Sequence, residues 1–206
     1  MSPLNQDRLF PSDPVQREIA RSLYAEVRNL PIISPHGHAD PKWFSEDEPF
    51  PDPAALLVIP DHYIYRMLYS QGVPLEDLGI PRLDGGPVER DPRRIWRLFA
   101  GHWHLFRGTP TRMWMEYVLH ELFEVQVKLS AESADHIYDW IADCLTRPDF
   151  RPRALFDRFN IEVLATTDSP LDSLAHHQKL RDSGWKGRII PTFRPDPVVD
   201  PELPEF

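Results

Sequence analysis

Apolar residues recur every fourth position at Ile19, Leu23 and Val27, just behind an Asp13-Pro14 pair. A capping carboxylate followed by proline at the first helical position opens a helix, and the spacing predicts one that closes near Leu30-Pro31. The apolar run that follows predicts a short strand from Ile32 to His38. From about Asp40 to Phe150 the apolar and aromatic positions keep helical spacing. Starts are signalled at Asp61, Asp91-Pro92, Thr109-Pro110 and a serine at Ser130 or Ser133, and no strand candidate of comparable quality interrupts them. The rhythm changes after Phe150. R-P-R-A-L-F-D-R-F predicts a short helix and I-E-V-L-A-T-T a strand. S-P-L-D-S-L-A-H-H-Q-K-L-R-D-S then predicts a helix closed by Gly184, and R-I-I-P-T-F another strand.

Strand, helix, strand is the grammar of a parallel sheet, so the fold class is α/β. With Ile32–His38 as first strand, the chain has the opening of a (β/α)8 barrel of the TIM type, about three strands of it, with a large helical insertion after the first strand. The expected organisation is residues 1–39 for the first helix and strand, 40–150 for the insertion and 151–206 for strands two and three. A complete barrel takes about 250 residues, more than remain here once the insertion is set aside, which predicts that this is the N-terminal part of a larger protein.

Composition narrows the partners. The chain has 206 residues, 41% of them apolar, enough for a real core. Its 23 basic and 32 acidic residues give a net charge of -9, which provides no cationic footprint for nucleic acid or for anionic lipid. No apolar run approaches the length of a bilayer span, and the N-terminus lacks the layout of a secretion signal. Cys144 has no mate in the chain, which fits a reducing compartment, and the expectation is a cytoplasmic protein without membrane or nucleic-acid partners. A homo-oligomer is compatible with everything in the chain.

The chemistry centres on I-I-S-P-H-G-H-A-D. Residues two apart on a strand point to the same side, so His36 and His38 can converge on one ion, with Gly37 leaving room between them. The bland alternative is a hydrogen-bonded pair at a strand end. Imidazole nitrogen suits divalent metals, zinc first, and barrel enzymes place their chemistry at the carboxyl ends of strands. Other histidines test the same logic. His102 and His104 share the spacing but read as helical, where residues two apart diverge by about 200° around the axis. H-E-L-F-E, His120 to Glu124, echoes a helical zinc motif but carries Glu124 where the second histidine belongs, so a solvated helix face is expected. His176 and His177 predict one buried ring and one exposed. Asp61 to Arg66, D-H-Y-I-Y-R, reads first as a capped helix start with core aromatics, and otherwise as one in which His62 and Tyr63 could meet a substrate. Arg194 follows the last strand and could pair with Asp196 or grip a substrate carboxylate. Asp168 in T-T-D-S-P reads as a helix cap or as a group that orients a ligand. Cys144 reads as core.

Taken together, P-H-G-H after an apolar strand, P-D-H-Y-I-Y-R-M-L, F-N-I-E-V-L-A-T-T-D-S-P-L-D-S-L-A-H-H and F-R-P-D resemble, in order from about Arg8 to Pro197, the uronate (glucuronate) isomerases, a branch of the amidohydrolase superfamily. The T-T-D-S-P block carries more specificity than the histidine pair. The resemblance implies interconversion of D-glucuronate with D-fructuronate and of D-galacturonate with D-tagaturonate in hexuronate breakdown, with a hexuronate as substrate. It implies His36 and His38 as metal ligands and His62, Tyr63 and Arg194 as lining the substrate site. It places the family's last metal ligand, an aspartate, and a histidine of a middle strand beyond Phe206, so this chain alone is expected to be inactive. One departure stands out: W-M-E-Y-V-L carries Glu116 where many relatives have histidine. A metal-dependent hydrolase of the same superfamily and a non-catalytic interaction fragment are the competing readings.

Overall fold

In the computed structural model, residues 4–202 are described, and proline placed directly after a capping residue starts most of the helices. In chain order the elements are α1 (Pro14–Val27), β1 (Ile32–Ser34), α2 (Pro41–Glu46), α3 (Pro53–Leu57), α4 (His62–Ser70), α5 (Pro92–Gly101), α6 (Pro110–Tyr117), α7 (Ala134–Thr146), α8 (Pro152–Arg158), β2 (Ile161–Asp168), α9 (Ala175–Asp182), β3 (Arg188–Phe193) and α10 (Asp196–Val199). Asp13, Asp40, Asp52 and Asp91 each accept a hydrogen bond from a backbone N–H in the first turn of α1, α2, α3 and α5, at 2.8 to 2.9 Å. Thr109 does the same for α6 from Arg112 N at 3.1 Å. Each side chain satisfies an amide that the helix cannot, and the proline that follows has no amide to satisfy. Among the described residues, no helix is long and apolar enough to cross a membrane.

The chain forms two compact units. One takes the described residues of Met1–Phe10 together with Phe50–Arg147 and is helical. Its core is aromatic: Trp96 and Phe99 of α5 are fully buried, and Phe99 meets Trp103 and Phe106 edge-on at 5.4 and 5.8 Å. The Trp96 indole donates to the Ala134 carbonyl at 2.9 Å, satisfying the one polar atom that its burial would otherwise strand. Outside this seam, Arg97 binds Asp135 at 2.7 Å and Arg93 binds Asp139, fixing how α5 lies on α7.

The other unit, Pro11–Pro49 with the described residues of Pro148–Phe206, carries the sheet. Its strands are parallel in the order β1-β2-β3, with Ile32 opposite Ile161 and Leu164 opposite Ile189. Phe44, Phe156, Leu180 and Ile189 form its core, joined by Leu164 and Trp185, so α2, α8 and α9 share one face of the sheet. Arg153 braces that face: it donates to the Phe44 carbonyl at 2.7 Å and lies 5.2 Å from the centre of the Trp185 ring. The apolar stripe of α1 stays open, with Ile19 and Leu23 56% and 66% exposed.

Two boundaries differ from expectation. β1 ends at Ser34 rather than His38, because Pro35 offers no N–H to continue the ladder. Likewise α9 begins at Ala175 rather than at Ser169-Pro170, since β2 runs through Asp168 and Leu174 turns left-handed, φ 53°, just before the helix. Asp168 therefore closes a strand and caps nothing.

Candidate functional site

The residues of interest in the sheet unit gather where its parallel strands end. His36 and His38 lie just past β1, on a segment held by contacts other than a ladder. The Gly37 carbonyl accepts from the Thr167 hydroxyl of β2 at 2.8 Å, and Ser34 Oγ donates to the His36 carbonyl at 3.2 Å. A side chain on residue 37 would put its Cβ 3.0 Å from the Ala165 carbonyl oxygen and from a Leu164 methyl, so any other residue would push the backbone or these neighbours apart by a few tenths of an ångström. The two imidazoles meet edge to face, centroids 4.8 Å apart at 79°, with their Nε2 atoms 2.9 Å from each other. Both rings are exposed. The two nitrogens are at hydrogen-bond distance, the contact expected of a paired strand end, and a turn rather than strand alternation brings the rings together. Among the described residues no third histidine, cysteine or carboxylate joins the pair as a potential ligand.

Arg194 follows β3 at this same end of the sheet and donates through Nε to Asp196 Oδ2 at 3.0 Å, both side chains being about half exposed. His62 and Tyr63 belong to the helical unit, in the first turn of α4. Asp61 accepts there from Tyr63 N at 2.8 Å and Ile64 N at 3.3 Å. Their rings lie 4.2 Å apart and tilted by 34°, with Tyr63 65% exposed. Thus the predicted residues form a histidine pair, an aromatic pair on a capped helix start, and an arginine held by a neighbouring carboxylate.

The other histidines resolve differently. His102 caps α5, its Nδ1–H donating to the Leu98 carbonyl at 2.8 Å, and a 3-10 turn follows, so the continuous helix expected across His104 is absent. The two rings lie 6.4 Å apart at 23°, less divergent than α-helical geometry would make them. His120 sits in a π-helical turn against Glu121 at 3.0 Å, largely covered rather than on a solvated face. Glu116 is taken by Arg112, whose Nε lies 2.6 Å from it. His176 shares a 2.7 Å hydrogen bond with Ser45 and is half-buried, while His177 is buried.

His177 belongs to a cluster that sequence reasoning missed. Thr166 Oγ1 donates to Asp168 Oδ2 at 2.6 Å, which leaves its lone pairs for the Nε2–H of His177 at 2.8 Å. All three side chains are buried. The other ring nitrogen, Nδ1, has no partner among the described residues. Strand alternation puts positions 166 and 168 on one face, and a histidine one turn into the next helix falls above them, so T-T-D followed by H-H held the signal.

A model of the glucuronate isomerase family matches residues 10–206. The chain belongs to the glucuronate isomerase family. Uronate isomerases from Rhizobium meliloti strain 1021 and Rhizorhabdus wittichii are 60% and 62% identical over 98% of this chain, which spans 43% and 42% of their lengths. Among solved structures, glucuronate isomerase from Caulobacter crescentus superposes with a TM-score of 0.91 at 54% identity, over 96% of this chain and 41% of that one. Uronate isomerase from Thermotoga maritima superposes with a TM-score of 0.80 at 31% identity, over 94% and 40%. The chain therefore spans about two fifths of the length of the family members it matches.

Proposed function

We propose that this chain contributes the first strands and part of the active site of a hexuronate isomerase that converts D-glucuronate to D-fructuronate and D-galacturonate to D-tagaturonate. In this reading β1, β2 and β3 are the first three strands of a (β/α)8 barrel of the amidohydrolase superfamily, and α2 to α7 lie in a helical insertion, residues 40–150, after β1. The single observation that carries it is the pair of Nε2 atoms 2.9 Å apart at the carboxyl end of the first strand. With metal–nitrogen bonds of about 2.05 Å, a right-angled pair of ligands has its nitrogens about 2.9 Å apart and a tetrahedral pair about 3.3 Å. The imidazoles match two right-angled positions around one divalent ion, and tetrahedral zinc, the first choice for nitrogen donors, would require the pair to open by about 0.4 Å.

The isomerisation moves one proton from C2 of the open-chain aldose to C1 and one from the C2 hydroxyl to the C1 oxygen, through a cis-enediol whose oxygens gain negative charge on the way. His36 and His38 would hold a divalent ion, which would supply Lewis acidity toward those oxygens. Tyr63 donates its phenolic hydrogen to a sugar oxygen, and His62 beside it positions the substrate or exchanges a proton. Arg194 presents a planar fork to the substrate carboxylate, which displaces Asp196 from it.

The test uses the full-length protein with D-glucuronate, following ketose formation and bound metal together. His36→Asn and His38→Asn are expected to lose metal and to slow turnover by about a hundredfold or more. Unchanged metal stoichiometry would remove the pair from the site. Absence of ketose with cleavage of an ester or amide would replace isomerase by hydrolase.

A further inference from the structure

The histidine pair lies on a segment that the sheet does not organise. β1 contributes only Ile32–Ser34 to the ladder, and Pro35 cannot extend it. Beyond that point the Thr167 hydroxyl grips the Gly37 carbonyl at 2.8 Å, a partly buried bond linking residues 130 apart in sequence. The bond from Ser34 to His36 is longer, 3.2 Å, and exposed. Gly37 adjoins both histidines, so a shift of its peptide moves both rings.

Thr167 is suited to hold that peptide because its own place is fixed from both sides. It pairs with Thr192 in the β2–β3 register, and the Thr192 hydroxyl donates to the Thr166 carbonyl at 2.7 Å. Thr166 and Asp168, its chain neighbours, turn the other way into the buried cluster with His177. The end of β2 is therefore a rigid post on which the Gly37 carbonyl hangs. Gly37 meets the Ala165 carbonyl and Leu164 at the same place, which leaves the peptide no slack toward the sheet.

We propose that Thr167 is the positioning residue of the His36–His38 pair, its hydroxyl setting the separation of the two Nε2 atoms through the Gly37 carbonyl. The proposal rests on the reading of that pair as a metal site and adds a residue that touches neither metal nor substrate. Partners that orient metal ligands are typically worth ten- to a hundredfold in affinity, and this one acts on two ligands at once through one peptide.

The experiment measures zinc affinity of the full-length protein by competition with a chromophoric chelator, and the visible spectrum after cobalt(II) substitution. Thr167→Val keeps the shape and removes the hydroxyl; it is expected to weaken zinc by about tenfold or more and to alter the cobalt bands. Thr167→Ser restores the hydroxyl and is expected to bind within about threefold of wild type with its spectrum. Gly37→Ala pushes the same peptide off β2 while leaving Thr167 intact, and should weaken zinc likewise. Thr167→Val at wild-type affinity overturns the proposal, as does Thr167→Ser as weak as the valine variant, since packing would then be responsible. If the valine variant does not fold, wild-type affinity in Gly37→Ala overturns it instead. His36→Asn is the control: metal retained in that variant removes the underlying metal reading, whereas metal lost there but kept in Thr167→Val removes only the role of Thr167.

Discussion

Replacing Thr166 by valine tests whether the end of β2 is held by its polar cluster or only by packing. Valine has the shape of threonine, so no cavity opens and the loss is confined to the hydroxyl. That hydroxyl, on a residue 1% exposed, donates to Asp168 at 2.6 Å and accepts from His177 at 2.8 Å. A hydrogen bond to a charged group is worth about 1.5–3 kcal/mol, and a buried donor left without a partner costs about 1–3 kcal/mol. Simple addition gives about 2.5–6 kcal/mol, which overstates the result. His177 Nε2 already lies 3.7 Å from Asp168 Oδ2, and a movement of less than an ångström would let the two bond directly. With that recovery the expected destabilisation of the sheet unit is about 2–3 kcal/mol.

The substitution lies in one of two compact units, so a single global midpoint would blur an effect confined to that unit. Amide hydrogen exchange along the β2–β3 ladder reads the sheet unit by itself, and protection there should fall by the factor corresponding to about 2–3 kcal/mol. Thr166→Ser keeps the hydroxyl and should lose about 1 kcal/mol, from the missing methyl alone. Protection in Thr166→Val within about 0.5 kcal/mol of wild type, or equal to that of Thr166→Ser, would refute the argument.

Removing the α4 cap with Asp61→Ala should cost about 1 kcal/mol locally and speed exchange of the Tyr63 and Ile64 amides, both of which donate to Asp61; unchanged exchange would show that the cap does not hold His62 and Tyr63. The Asp84 carboxyl should titrate at about 2, because Arg82 binds it and Gly86 N donates to it. A carboxylate with a lowered folded value contributes stability above its ordinary range near 3.8 and loses it as pH falls toward about 2. The pair is fully exposed and screened, so the readout is the NMR titration of the carboxyl, and Arg82→Gln should return its midpoint toward the ordinary value.

What the chain revealed in advance follows the range of the interaction responsible. Asp91-Pro92 and Thr109-Pro110 announce their helices because cap and proline act within one turn, and the structure repeats the device at Asp40-Pro41 and Asp52-Pro53, which a closer reading of the same signal finds. The parallel sheet was legible because two short apolar runs, I-E-V-L-A-T-T and R-I-I-P-T-F, flank a helix. Where β1 stops was a matter of Pro35 outweighing the apolar run, a local conflict visible in principle. The grip of Thr167 on Gly37 was not visible, since it joins positions 130 apart and depends on register.

That difference bears on how the histidine pair should be understood. Alternation along a strand predicted that His36 and His38 share a side, and they do, but the alternation is not what brings them together. Their backbone has left the ladder by Ser34, and the nitrogens meet at 2.9 Å because Pro35 turns the chain, Gly37 permits contact with β2, and Thr167 fixes the carbonyl between them. A pair made by a strand would be restrained by the ladder on both sides; a pair made by a turn is restrained at one peptide. Substitutions at Gly37 and Thr167, neither of which belongs to the pair, should therefore disturb the separation of the two nitrogens more than a change on β1 at Ile32 or Ile33.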